Sequence, residues 1–183
     1  SAMLEITVPG LEDWDERTNE FVHTKPTVLR LEHSLLALSK WECKWHKPWL
    51  DPSKPKTQAE LYDYIRCMTV TQGVDANVYR RLTKENLAAI QTYMNDPMTA
   101  TTFKERRGAK RRSRFQTAET IYASMCEYGI PFSCEKWHLN RLLTLIRACS
   151  EENMPKEKMG RQEQMARQRE LNAMRKAKYH TKG

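Results

Sequence analysis

The chain has 183 residues, 30% charged and 39% hydrophobic, with a net charge of +8 and a mean hydropathy of -0.78. That length suits one compact domain or a domain with appendages. No apolar run is long enough for a membrane span and none near the start reads as a signal peptide, so the expectation is a cytoplasmic protein without membrane contact. The charge is uneven. Residues 104–114 carry seven Lys/Arg against one Glu, residues 156–183 carry nine against three, and the remainder is mildly acidic at -4. Five cysteines at irregular spacing, with no CxxC pair, do not form a disulfide framework. Cys67, Cys126 and Cys149 fall in apolar helical patterns and are expected to act as small core hydrophobes.

Ser1-Ala2 before Met3 reads as an added leader and carries no fold argument. Leu4 to Val8 alternates apolar and polar residues and ends at Pro9-Gly10, a strand followed by a turn. Glu20 to His23 and Thr27 to Leu31 are further extended segments broken at Pro26, and the acidic Glu12 to Glu16 reads as a loop. From Glu32 the period changes: Leu31, Leu35, Leu38, Trp41 and Trp45 recur every three or four residues, an amphipathic helix ended by Pro48. Asp51 to Lys56 is a solvated linker. Thr57, with Glu60 three residues on, opens a helix whose stripe is Leu61, Tyr64, Ile65 and Met68. Asp75 or Asn77 starts a short helical turn, and Thr83 caps a helix with Leu87, Ile90 and Met94 inward. Thr117 precedes a helix with Ala118, Ile121, Tyr122, Met125 and Cys126 on one face, closed by Gly129 and Pro131. Ser133 reads as the cap of a helix carrying Trp137, broken at Pro155. The segment from Lys158 to Lys178 has only Met165, Leu171 and Met174 as large apolar residues, which describes a polar, partly helical arm.

The expected fold is mainly α. A compact helical domain at residues 32–154 holds the basic loop 104–114. A small N-terminal β-hairpin at 3–31 precedes it and a basic C-terminal helical arm at 155–183 follows.

Two short stretches hold four of the five tryptophans: Trp41, Trp45 and Trp49 in one, and Trp137, followed by His138 and Arg141, in the other. Such concentration means a core centre or a recognition surface. At helical spacing the first reading makes them the core where two helices cross. The second makes them the aromatic floor of a groove for a partner helix, with Trp49 at its rim. Trp41, Trp45, Trp49, Trp137, His138 and Arg141 are therefore the candidate partner-binding residues. Cys43 with His46 and Cys134 with His138 loosely imitate zinc-ligand spacing, but the long separation and the crowding aromatics disfavour a metal. No Gly-rich nucleophile turn, phosphate loop or HExxH motif occurs, so no catalytic residue is assigned and no cofactor is expected. Arg106, Arg107, Lys110, Arg111, Arg112 and Arg114 could grip a phosphate backbone, the alternative being a nucleic-acid-binding protein. Only Phe103 and Phe115 flank them, which gives little base stacking and favours a solvated loop or an acidic protein partner.

Together with Tyr64-Ile65-Arg66-Cys67-Met68-Thr69 and Asp96-Pro97-Met98-Thr99-Ala100, the Trp-His segments resemble a family of tail assembly chaperones of long, non-contractile-tailed bacteriophages and prophages, over roughly residues 26–178. The resemblance implies a mostly helical, non-enzymatic, self-associating protein absent from the mature virion. It implies a chain that binds the tape measure protein, keeps it soluble and promotes tail tube assembly, with the major tail protein as a further partner. The arginine-rich segment is not part of the resemblance.

Overall fold

The computed structural model describes residues 3–105, 115–153 and 161–179. The chain divides into two units, Ser1–Cys149 and Ser150–Gly183. Among the described residues the first unit opens with four strands, β1 (Leu4–Val8), β2 (Glu12–Asp15), β3 (Glu20–His23) and β4 (Thr27–Leu31). β1 pairs antiparallel with β4, from Leu4 opposite Leu31 to Val8 opposite Thr27. β2 pairs with β3, from Glu12 opposite His23 to Asp15 opposite Glu20. Both pairings share one register, so they are two halves of a single long hairpin interrupted at Pro9-Gly10 and Pro26. The Thr24 N–H still donates to Leu11 O at 2.7 Å across the interruption.

The inner half follows the period-2 rule, with Ile6, Val8, Leu29 and Leu31 buried and Glu5, Val28 and Arg30 exposed. The outer half has both strands almost wholly exposed, and this corrects the loop expected at Glu12 to Glu16. The acidic residues alternate with Trp14, and Trp14 meets Phe21 edge-on across the strands at 4.8 Å. Cross-strand aromatic pairing stabilises the ribbon where burial does not.

At Gly10 the backbone of the opposite strand approaches closely. A Cβ there would lie 1.7 Å from the Thr24 backbone oxygen. Gly10→Ala is expected to destabilise the chain by about 2 kcal/mol, because backbone rather than a flexible side chain must move. Chemical denaturation of the variant should show that loss, together with faster amide exchange in residues 12–24 than in the parent chain.

Seen from the opposite edge, β4 has a second neighbour. The Glu32 N–H donates to Met68 O and the Val70 N–H to Arg30 O, each at 2.8 Å. The edge of β1 is covered by side chains: Asn86 Nδ2 donates to Thr7 O at 3.1 Å and Arg81 Nε to Pro9 O at 3.2 Å. These contacts dock the hairpin on the helices.

The helices are α1 (Leu35–Trp45), α2 (Gln58–Met68), α3 (Lys84–Asn95), α4 (Ala118–Glu127) and α5 (Leu139–Asn153), with 3-10 turns at Ala76–Arg81 and Phe132–Lys136. Hydroxyl caps start four of the helices. Ser34, Thr57, Thr83 and Thr117 each accept the backbone N–H three residues on, and the last two complete capping boxes with Asn86 and Thr120. α1 is central, packed against α2 and α4, and buries Leu35, Ala37, Leu38 and Trp41. α4 contributes Ala118, Ile121 and Met125, and α5 contributes Leu139, Leu142 and Ile146.

Three expectations in this region need correction. Leu61 is 44% exposed; the buried face of α2 is Glu60, Tyr64, Ile65, Cys67 and Met68. Cys126 is exposed, and Cys134 is the cysteine that joins Cys67 in the core. Ser133 does not cap a Trp137 helix. Residues 132–136 form a 3-10 turn, Trp137 is extended, and the helix starts at Leu139. Tertiary pairing wins there: Ser34 bridges His138, and the Leu139 N–H donates to His33 O at 2.8 Å.

The second unit contains α6 (Arg161–Tyr179), a helix exposed throughout 163–179. The fold is mainly α, with a small N-terminal hairpin and a basic C-terminal helix.

Candidate functional site

The six candidate partner-binding residues separate into core and surface. Trp41 is fully buried on α1, its Nε1–H donating to Glu60 O at 2.8 Å. Trp49 is half-buried, stacked on Tyr64 at 3.8 Å with rings 9° apart, and edge-on to Trp41 at 5.0 Å. His138 is 0% exposed. The Asn140 N–H donates to its Nδ1, so Nε2 carries the proton donated to Tyr93 O at 2.8 Å. Trp137 is half-buried and Arg141 lies over its ring at 4.0 Å.

The two Trp-His segments are joined through the interior. Rings follow one another from Trp41 to Trp49, Tyr64, His33, His138 and Tyr93, none more than 5.6 Å from the next. The Tyr64 hydroxyl meets His33 Nδ1 at 2.7 Å, and the Tyr93 hydroxyl accepts the His33 N–H at 3.0 Å. Burial, with His138 beside it, pushes the His33 imidazole down to about 3. Burial also holds the Tyr64 hydroxyl well above its ordinary value. Both groups are neutral at physiological pH. For Trp41, Trp49 and His138 this arrangement is a structural spine, in which buried polar atoms are paired.

Trp45, by contrast, turns to a surface hollow. Two adjoining depressions of about 450 and 320 Å³ share Ala59, Tyr62 and Tyr79. Together they make a shallow groove between α2 and the 3-10 turn Ala76–Arg81. Trp45, Tyr62 and Tyr79 supply the aromatic floor, and Lys44, Arg66 and Arg80 the basic rim.

Asp63 organises one side of this groove. It accepts Trp45 Nε1 at 2.8 Å, Arg66 Nε at 2.6 Å and Lys44 Nζ at 3.2 Å. Burial raises its carboxyl, but the bonds from Arg66, Trp45 and Lys44 outweigh that and hold it below the ordinary carboxylate range. The Tyr79 hydroxyl donates to Thr69 Oγ1 at 2.7 Å. The floor is therefore fixed before any partner arrives, which lowers the entropy cost of binding.

Tyr62, Asp63, Arg66, Tyr79 and Arg80 escape the sequence reading. One signal was present: Tyr62 is an aromatic lying off the buried stripe of an amphipathic helix. Tyr79 gives no such signal, because it reaches the groove from a separate turn.

Cys43, His46, Cys134 and His138 do not form one cluster. Cys43 and His46 are exposed, while Cys134 and His138 are buried. Among the described residues no group of three or more His, Cys, Asp and Glu could hold a metal ion. Nor is any helix there long and apolar enough to cross a membrane. Arg106, Arg107, Lys110, Arg111, Arg112 and Arg114 lie outside the described residues. Comparison with protein-family models, with curated proteins and with solved structures finds no match for the chain.

Proposed function

We propose that this chain is a non-enzymatic tail assembly chaperone of the long, non-contractile-tailed phages it resembles. In the host cytoplasm it binds helical segments of the tape measure protein, keeps them soluble and promotes tail tube assembly. The observation that carries this reading is the pre-formed groove of Trp45, Tyr62 and Tyr79. An amphipathic helix places apolar anchors at i, i+3 and i+4, and an elongated aromatic floor takes such anchors in succession. The basic rim of Lys44, Arg66 and Arg80 favours helices with acidic flanks. Shallow hollows suit side-chain anchors better than a small substrate, which needs most of its surface enclosed.

The test is co-expression with the cognate tape measure protein, followed by light scattering of the soluble fraction. A soluble complex is expected. Tyr62→Ser combined with Arg80→Glu should weaken it at least about tenfold, since both side chains belong to the groove and neither is fully buried. The unfolding midpoint of that variant should stay close to the parent's. A tape measure protein that stays insoluble beside the parent chain, or is solubilised equally by the variant, would overturn the reading.

A further inference from the structure

The ribbon of β2 and β3 presents a surface that the groove does not use. Residues 12–23 carry five acidic side chains against one arginine, a net charge of -4 with His23 neutral. By register, Glu12, Trp14, Phe21 and His23 stand on one face of the ribbon. Trp14 is 44% and Phe21 63% exposed. Glu16 follows on the Trp14 strand at the tip, while Asp13, Asp15, Glu20 and Val22 stand on the opposite face. A two-stranded ribbon with both faces wet is marginal by itself, and an exposed aromatic pair ringed by carboxylates has the composition of an interface centre.

The complementary surface occurs in the same sequence. α6 carries six basic residues against two acidic ones, a net +4. Leu171, Met174, Arg175 and Lys178 fall at i, i+3, i+4 and i+7, which places two exposed apolar side chains and two cations along one side. Met174 and Leu171 suit the Trp14–Phe21 pair, methionine sulfur adding a favourable contact with the rings. Arg175 and Lys178 suit Glu12 and Glu16.

We propose that the face of the β2–β3 ribbon bearing Trp14 and Phe21 is a docking surface for the C-terminal helix α6 of a second copy of this chain. Opposite net charges of equal size and matching apolar pairs identify the occupant. The inference is independent of what fills the Trp45 groove.

Sedimentation velocity on the full chain tests it. The chain is expected to self-associate at roughly 50 mM salt and to do so at least about tenfold more weakly near 500 mM, since exposed charges are screened over that range. A ribbon-reversed variant, Glu12→Lys with Glu16→Lys, should be monomeric. A helix-reversed variant, Arg175→Glu with Lys178→Glu, should be monomeric as well. Mixed in equal amounts, the two should associate, because each then offers the other a complementary partner. Phe21→Ser should abolish association without altering the helical circular dichroism. A parent chain that is monomeric at both salt concentrations overturns the proposal. So does association that survives ribbon reversal or Phe21→Ser, or a mixture that remains monomeric while both variants keep the parent's circular dichroism.

Discussion

Replacing Glu42 with alanine is expected to destabilise the chain by about 3 kcal/mol, since one buried and one partly buried backbone donor would lose their acceptor and a buried orphan costs roughly 1–3 kcal/mol. Glu42 lies near the end of α1, almost completely buried. Its Oε1 accepts the Ala118 N–H at 2.7 Å and its Oε2 the Trp49 N–H at 2.9 Å. One carboxylate thus ties three parts of the chain together: α1, the segment that holds Trp49 against Tyr64, and the first turn of α4. The position at α4 is favourable twice over, because a helix N-terminus presents unpaired N–H groups and positive potential. Burial raises the carboxyl above its ordinary value, and the two N–H bonds from Ala118 and Trp49 act the other way. Glu42→Gln separates geometry from charge. Its amide keeps one acceptor oxygen but turns an NH2 group toward a backbone donor, so a loss of about 2 kcal/mol is expected, smaller than for alanine. Urea denaturation of both variants measures the order. An alanine variant as stable as the parent would show that water replaces the carboxylate. The Trp49 fluorescence environment should change in both variants, because the residue's backbone anchor is lost.

What the sequence made legible, and what it did not, follows one physical line. Elements whose signal is local were legible. The recurrence of Leu35, Leu38, Trp41 and Trp45 marks α1 because one face must be buried, and Thr57, Thr83 and Thr117 mark helix starts because each hydroxyl satisfies a donor within its own turn. Elements set by distant residues were not. β2 has no buried face and hence no alternation of burial; it is held by its pairing with β3 and by Phe21 across the ladder. The extended backbone at Trp137 is imposed by the His33–Ser34 strand end more than a hundred residues earlier. The candidate site divides in the same way. A concentration of tryptophans is visible in a sequence, but whether a given ring is core or surface depends on helix phase. Trp41 turns inward to Glu60 O, while Trp45, four residues on, reaches Asp63 at the edge of the groove.

Acid is expected to destabilise this protein through His33, with the effect confined to pH values below the ordinary histidine range. The imidazole is buried and faces His138, the Tyr64 hydroxyl and, through its backbone N–H, the Tyr93 hydroxyl. Among the described residues no carboxylate is bonded to it. Burial, then His138, brings it from 6.5 to about 3 in the folded chain. A histidine depressed in this way binds its proton more tightly when unfolded. Its contribution is therefore fully present above the unfolded value and is lost progressively as pH falls from 6.5 towards 3. With those two values, about 2 kcal/mol should be lost by pH 5 and about 3 kcal/mol by pH 4. Glu32 and Glu42 work in the opposite direction. Burial raises both carboxyls, so each takes up its proton more readily in the folded chain and offsets part of the histidine loss as pH falls. Asp51, Glu60 and Asp63, held below the ordinary carboxylate range by their hydrogen bonds, add to the loss at lower pH, so a variant is needed to isolate the His33 contribution. His33→Asn keeps an acceptor near the Tyr64 hydroxyl and does not titrate. Denaturation midpoints at pH 7.5 and pH 5 should converge for the variant relative to the parent, with a difference of about 2 kcal/mol between the two pH responses. Equal pH responses would mean that a protonated His33 is accommodated by water entering beside Tyr64. The expected divergence would establish that the ring spine joining the two Trp-His segments stays intact only while its central histidine is neutral.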